Sequence, residues 1–172
     1  MVEQEKEQGS FEIIDGDLIA LAKEGRFDAI SHGCNCFSTM GAGIALQMAK
    51  EFEADKMAVE SNKLTAPILK LGNIDAKQVG IMGVKFLLIN SYTQYELGPN
   101  LDYSALTLCM MKINKLMGGK HIGLPRIGCG IGGGDWVLVS TILKRELKDM
   151  KVTIVNYNYE VKRKLINSSE DG

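Results

Sequence analysis

Ala29-Ile30-Ser31-His32-Gly33-Cys34-Asn35-Cys36, leading into Gly41-Ala42-Gly43, is the first of two stretches that decide the fold. The second is Gly123-Leu124-Pro125-Arg126-Ile127-Gly128-Cys129-Gly130-Ile131-Gly132-Gly133-Gly134. Each is a short apolar run that ends in glycines and feeds a helical pattern. Such a strand exit leaves several backbone N–H groups without intrahelical partners, which makes a site for a phosphate group. Two such turns far apart in sequence can close over one diphosphate. The second turn is dense in glycine, and the entropy lost on ordering it calls for an offsetting role such as holding a phosphate.

Outward from these turns, strands alternate with helices. Phe11, Ile13 and Ile14 predict a first strand, and Asp17 stands where an acid caps a helix through Leu18, Ile19, Leu21 and Ala22. Ala29 to Gly33 reads as a buried strand. Ile44, Ala45, Met48, Ala49 and Phe52 recur at helical spacing, so a helix begins near Gly43 and turns its N-terminus to the first glycine turn. Pro67 to Leu71, Lys77 to Met82 and Phe86 to Tyr92 read as strands separated by Gly72-Asn73 and Gly83. Leu101 to Met117 and Trp136 to Met150 read as helices, and His121 to Pro125 and Lys151 to Tyr157 as strands. This order points to an α/β domain with helices on both faces of a mostly parallel sheet. Ligands of such sheets sit at the carboxyl ends of the strands, where the glycine turns fall.

The chain has 172 residues, enough for one domain that buries roughly 70% of its unfolded surface. Residues 1–10 and 161–172 are polar and lack apolar periodicity, so both are expected to be flexible tails around a domain spanning 11–160. Twenty basic residues face 21 acidic ones, for a formal charge of −1, and there is no basic block to track a nucleic-acid backbone. A small nucleotide suits this balance better. Cys34, Cys36, Cys109 and Cys129 lack the paired spacing of a zinc site, so neither metal nor cofactor is expected, and reduced thiols fit a cytoplasmic protein. No apolar run reaches about 18 residues, so no membrane partner is expected either.

Four motifs in register resemble the macro domain, a module that binds ADP-ribose. They are Gly16-Asp17-Leu18, the His32-Gly33-Cys34-Asn35 turn, the Gly41-Ala42-Gly43-Ile44-Ala45 helix start and the Leu124-Pro125-Arg126-Ile127-Gly128-Cys129-Gly130 strand exit. The resemblance covers residues 11–157 and is nearest to the branch of ADP-ribose 1''-phosphate phosphatases and ADP-ribosyl-glutamate deacylases. It implies a three-layer α/β/α fold, with a mixed, mostly parallel sheet of about six strands and helices on both faces. The implied ligand is ADP-ribose, its 1''-phosphate or an ADP-ribosylated protein, and a monomer is expected.

Residue by residue, the resemblance assigns Asp17 and Leu18 to the adenine end, the carboxylate accepting from the exocyclic amino group. From its position alone Asp17 is a helix cap; the two roles are compatible. Asn35 matches an asparagine that reaches the distal ribose, and as a bare sequence feature it is a turn asparagine. Gly41, Ala42, Gly43 and Ile44 would approach the diphosphate and ribose, as would Ile127, Gly128, Cys129, Gly130, Ile131 and Gly132. Cys129 has no base adjacent in sequence and is expected to serve through packing or backbone. His32 matches a histidine implicated in catalysis, since imidazole titrates near neutrality; its plainer reading is a satisfied histidine at a strand end. Asp135 is either a general acid, base or water-orienting group, or the cap of the following helix. Arg126 would help to meet a phosphate or form a strand-end salt bridge. Tyr92, Tyr95 and Tyr157 are candidate lids or stacking surfaces for adenine.

Two departures narrow the chemistry. A mono-ADP-ribosyl hydrolase branch carries an aspartate where this chain has Ala45 and Leu46. A deacylase that forms a lysyl intermediate needs a lysine at a place read here as Ser91 or Tyr92, and an aspartate where Gly132 stands. The expected activity is therefore phosphate release from ADP-ribose 1''-phosphate, with a non-enzymatic ADP-ribose reader, or removal of ADP-ribose from modified carboxylates by another route, as alternatives.

Overall fold

A computed structural model describes residues 9–57 and 67–157. Six strands form one sheet: β1 Ser10–Asp15, β2 Ala29–Asn35, β3 Ile74–Ile81, β4 Val84–Gln94, β5 His121–Leu124 and β6 Lys151–Asn156. Their spatial order is β1-β6-β5-β2-β4-β3. Every neighbouring pair is parallel except β3 with β4, so five strands end at the same edge. The antiparallel pair is joined through Met82 and Gly83, both at positive φ (48° and 83°), which is the backbone of a two-residue hairpin turn.

Four helices cover the sheet: α1 Leu18–Lys23, α2 Gly43–Phe52, α3 Tyr103–Met117 and α4 Trp136–Glu146. Strand alternation divides the core into two layers. Ile30 and Cys34 of β2 and Leu88 and Tyr92 of β4 meet Leu18, Ile19 and Ala22 of α1 and Met48 and Phe52 of α2. On the opposite face, Ala29, Ile89, Ile122, Leu124, Val152 and Ile154 meet Leu106, Met110 and Ile113 of α3 and Val139 and Leu143 of α4. This is the expected three-layer arrangement with a mixed, mostly parallel sheet.

Two departures from expectation concern which residues form an element at all. Residues 67–70 form a 3₁₀ turn rather than a strand. Its apolar pair Ile68 and Leu69 is exposed, and Asn73 Nδ2 donates to the Leu69 carbonyl, so the run is spent on a turn. Ser10, placed in the N-terminal tail by its polarity, already pairs with Lys151, and the Gly9 amide donates to the Lys148 carbonyl. The remaining tail expectations, residues 1–8 and 161–172, lie outside the described residues.

Candidate functional site

At the carboxyl edge of the parallel strands lies a cleft of about 820 Å³, a size suited to a dinucleotide-like ligand. Each wall segment follows a strand. Asp17 and Leu18 come after β1, Asn35 and Gly41–Ile44 after β2, Gln94 and Leu97 at and after β4, Pro125–Gly132 after β5, and Asn156 and Tyr157 at the end of β6. All thirteen residues that the sequence assigned to ligand binding line this one cleft.

Backbone donors dominate it. The N-terminus of α2 has no side-chain cap: Ala42 offers none, and the first intrahelical bond runs from the Leu46 amide to the Ala42 carbonyl. The amides of Gly43, Ile44 and Ala45 are thus left unengaged among the described residues. Across the cleft, the loop after β5 is tied internally by Cys129 N to Arg126 O (3.1 Å), Gly133 N to Gly130 O (3.1 Å) and Gly134 N to Gly128 O (2.8 Å). Gly128 takes φ +75°, a conformation that favours glycine. The amides of Gly130, Ile131 and Gly132 have no acceptor among the described residues. Two sets of unengaged amide donors therefore border one cleft with room for a diphosphate.

Asp17 does two things with one carboxylate. Its Oδ1 accepts from the Ile19 and Ala20 amides at 3.0 and 3.1 Å, capping α1. Oδ2 makes no hydrogen bond among the described residues, and the residue borders the cleft. Asn35 is 5% exposed and is spent on its own turn: Oδ1 accepts from the Phe37 and Thr39 amides, and Nδ2 donates to the Thr39 carbonyl. It borders the cleft as the residue that shapes the first loop, with one amide hydrogen left over.

The two residues read as catalytic stand elsewhere. His32 shares the face of β2 with Ile30 and Cys34, is fully buried, and contacts Asn90 Oδ1 through Nε2 at 2.7 Å. It does not line the cleft. Burial pushes its pKa down to about 4, against a smaller upward pull from Asn90. On β2 the cleft lining consists of Gly33, Cys34 and Asn35; His32 stands one residue short of it, with Nε2 3.7 Å from the Cys34 sulfur. Asp135 is exposed and caps α4, its Oδ1 accepting from the Val137 amide at 2.8 Å while its own amide donates to the Tyr103 hydroxyl. It too is absent from the cleft lining.

Other sequence candidates sort by placement. Cys129 lines the cleft with its thiol on the Ile127 carbonyl (3.6 Å), and burial raises its pKa, which suits a packing role. Arg126 forms no ion pair among the described residues. Its Nε donates to Asn156 Oδ1 at 2.7 Å and its guanidinium lies 5.0 Å from the Trp136 ring centroid. Tyr92 is buried with its hydroxyl on Asp75, and Tyr95 stacks at a tilt on Phe37, whereas Tyr157 borders the cleft.

Sequence reading missed the end of β4. The strand runs to Gln94, beyond Ser91 and Tyr92, and it is Gln94 that stands beside Gly132: its Oε1 lies 3.0 Å from where a Cβ at Gly132 would be. That Cβ would also lie 2.6 Å from the Gly128 carbonyl oxygen, so position 132 has no room for any side chain. The register against β2 shifts here, Cys34 pairing with Tyr92 and Asn35 with Gln94, which leaves Thr93 as the extra residue of a bulge. Thr93 lines the cleft, and its buried Oγ1 has no hydrogen-bond partner among the described residues.

No protein-family model matches the chain. It is 40% identical over 152 residues to an uncharacterised 17.5 kDa protein of enterobacteria phage T4, covering 84% of this chain and 94% of that protein. It is 26% identical over 144 residues to the human ADP-ribose glycohydrolase OARD1, covering 82% of this chain and 88% of the human protein. In structure it is similar to the macrodomain of Mycobacterium tuberculosis DarG, with a TM-score of 0.66 at 23% identity over 86% of this chain and 97% of that one. Thermosipho africanus DarTG in complex with ADP-ribose superposes with a TM-score of 0.68 at 17% identity, over 88% of this chain and 42% of that one. Taken with a six-stranded mixed sheet that carries two glycine loops at its carboxyl edge, these likenesses show that the chain has the macrodomain fold.

Proposed function

We propose that this protein binds ADP-ribose in the cleft and hydrolyses a group carried on its distal ribose, the substrate being ADP-ribose 1''-phosphate. The observation that carries the reading is the pair of unengaged amide sets, Gly43–Ala45 and Gly130–Gly132, lining one cleft. An acceptor-only diphosphate is what such donors fit. Asp17 Oδ2 then takes the adenine amino group. The similarity to a human ADP-ribose glycohydrolase, and to a fold solved with ADP-ribose, supports the same ligand.

In the reaction, water attacks phosphorus, the bond from phosphorus to the ribose oxygen breaks, and that oxygen receives a proton. His32 and Asp135 are not among the residues that line the cleft, and this reading assigns that proton to neither. Catalysis in this reading comes from holding the terminal phosphate among fixed backbone dipoles, which need no reorganisation as charge develops. Calorimetry with ADP-ribose tests the pocket, and phosphate release from ADP-ribose 1''-phosphate tests the chemistry. Binding without turnover would replace the phosphatase by a reader. The likeness to an ADP-ribose glycohydrolase favours a second reaction, hydrolytic release of ADP-ribose, with modified carboxylates as its proposed carrier. An automodified acceptor protein that keeps its label in the presence of the enzyme would remove it.

A further inference from the structure

The β4 bulge brings two consecutive side chains to one site. In a regular strand Thr93 and Gln94 would project to opposite faces; with Thr93 as the extra residue, both line the cleft. Thr93 is fully buried and its Oγ1 is the one buried side-chain polar atom without a partner among the described residues. An unpaired buried hydroxyl destabilises the free protein, and an occupant of the cleft that bonds to it relieves that cost. Gly33 leaves the space beside it free of a side chain: a Cβ there would lie 2.9 Å from Thr93 Oγ1.

Gln94 is fixed beside it. Its Nε2 donates to the Glu96 and Gly98 carbonyls at 2.7 and 2.9 Å, so both amide hydrogens are committed and the orientation of the carboxamide is set. Oε1 remains as an acceptor next to Gly132. An oxygen that can only accept repels phosphate and takes a donor, whereas the threonine hydroxyl can donate or accept. A sugar hydroxyl meets both demands. The neighbouring amides of Gly130–Gly132 supply the opposite chemistry, suited to phosphate.

We infer that Thr93 and Gln94 form a subsite that reads a sugar hydroxyl of the bound nucleotide, with Thr93 Oγ1 as a specificity-determining contact. This rests on ADP-ribose occupying the cleft. The test is calorimetry with ADP-ribose and with ADP, which lacks the terminal sugar, on the wild type, Thr93→Val and Thr93→Ser, with thermal melts of each. Thr93→Val should bind ADP-ribose roughly tenfold more weakly, the loss of about one hydrogen bond, with ADP affinity unchanged. It should also melt no lower than the wild type, because it removes an orphaned hydroxyl at similar volume. Thr93→Ser should retain the wild-type preference for ADP-ribose over ADP. Equal loss of both nucleotides in Thr93→Val, or full ADP-ribose affinity there, or Thr93→Ser as weak as Thr93→Val, would overturn the inference while leaving the ligand assignment intact. A wild type that binds neither nucleotide would overturn the ligand assignment and this inference with it.

Discussion

His32 Nε2 and Asn90 Oδ1 lie 2.7 Å apart beneath the sheet, with Asn90 Nδ2 donating to the Ala54 carbonyl at 2.9 Å. That second bond fixes the orientation of the amide, so the imidazole must donate through Nε2 and is neutral in the fold. The histidine is therefore a rivet between β2, β4 and the 3₁₀ turn at Ala54–Lys56. Its pKa falls from 6.5 to about 4 on folding, chiefly through burial. Above pH 6.5 neither the folded nor the unfolded chain protonates it. Between 6.5 and 4 only the unfolded chain does, so stability falls as pH drops through that window, by about 3 kcal/mol for a shift of this size. Melting temperatures of the wild type and His32→Asn between pH 7.5 and 4.5 should diverge from parallel in that range, and parallel curves would refute the coupling.

Replacing the same residue separates fold from chemistry. His32→Ala strands Asn90 Oδ1 in a buried site and leaves a cavity, at a cost of about 2 kcal/mol or more. Denaturant midpoints should show that loss, whereas ADP-ribose affinity measured well below the melting temperature should stay near wild type. A binding site that weakens in proportion would return His32 to the functional machinery.

Asp17 offers a cleaner division. Asp17→Ala removes the cap of α1, worth about 1 kcal/mol, together with the acceptor for adenine. Asp17→Asn keeps an oxygen for the Ile19 and Ala20 amides but turns an NH₂ toward the ligand, donor against donor. It should melt close to the wild type and bind ADP-ribose as weakly as Asp17→Ala. If Asp17→Asn binds like the wild type, the carboxylate is a cap and nothing more.

These residues also show what could be read from sequence. The glycine loops, the capping position of Asp17 and the helical spacing of Ile44 to Phe52 are local signals, and the wall of the cleft follows from them. The face of His32 was legible too: alternation groups it with Ile30 and Cys34, opposite Gly33, and that signal was outweighed by the motif around it. Thr93 and Gln94 were not. A one-residue shift of register depends on how β4 meets β2 and on the Asp102 amide bonding to the Thr93 carbonyl, contacts made by distant parts of the chain. The apolar run at Pro67 resembles a strand in composition, but it pairs with no strand among the described residues and forms a 3₁₀ turn.

The second glycine loop gives a contrast within one structure. A Cβ at Gly130 would meet nothing within 4 Å, whereas one at Gly132 would lie 2.6 Å from the Gly128 carbonyl oxygen, the acceptor of the Gly134 amide. Backbone cannot yield there as a flexible side chain would, so Gly132→Ala should distort the turn that presents the amides and cost about 1–3 kcal/mol. Gly130→Ala should stay within about 0.5 kcal/mol of the wild type in stability. Binding should follow the same order, with ADP-ribose affinity falling further in Gly132→Ala, because the phosphate donors are the backbone that must move. The same geometry explains why an acid at position 132 cannot be grafted in to test deacylase chemistry: Gly132→Asp should lose ADP-ribose binding rather than gain ester cleavage. Calorimetry and melts on the three variants decide it, and a Gly132→Ala protein with wild-type affinity would show that the loop does not hold the diphosphate.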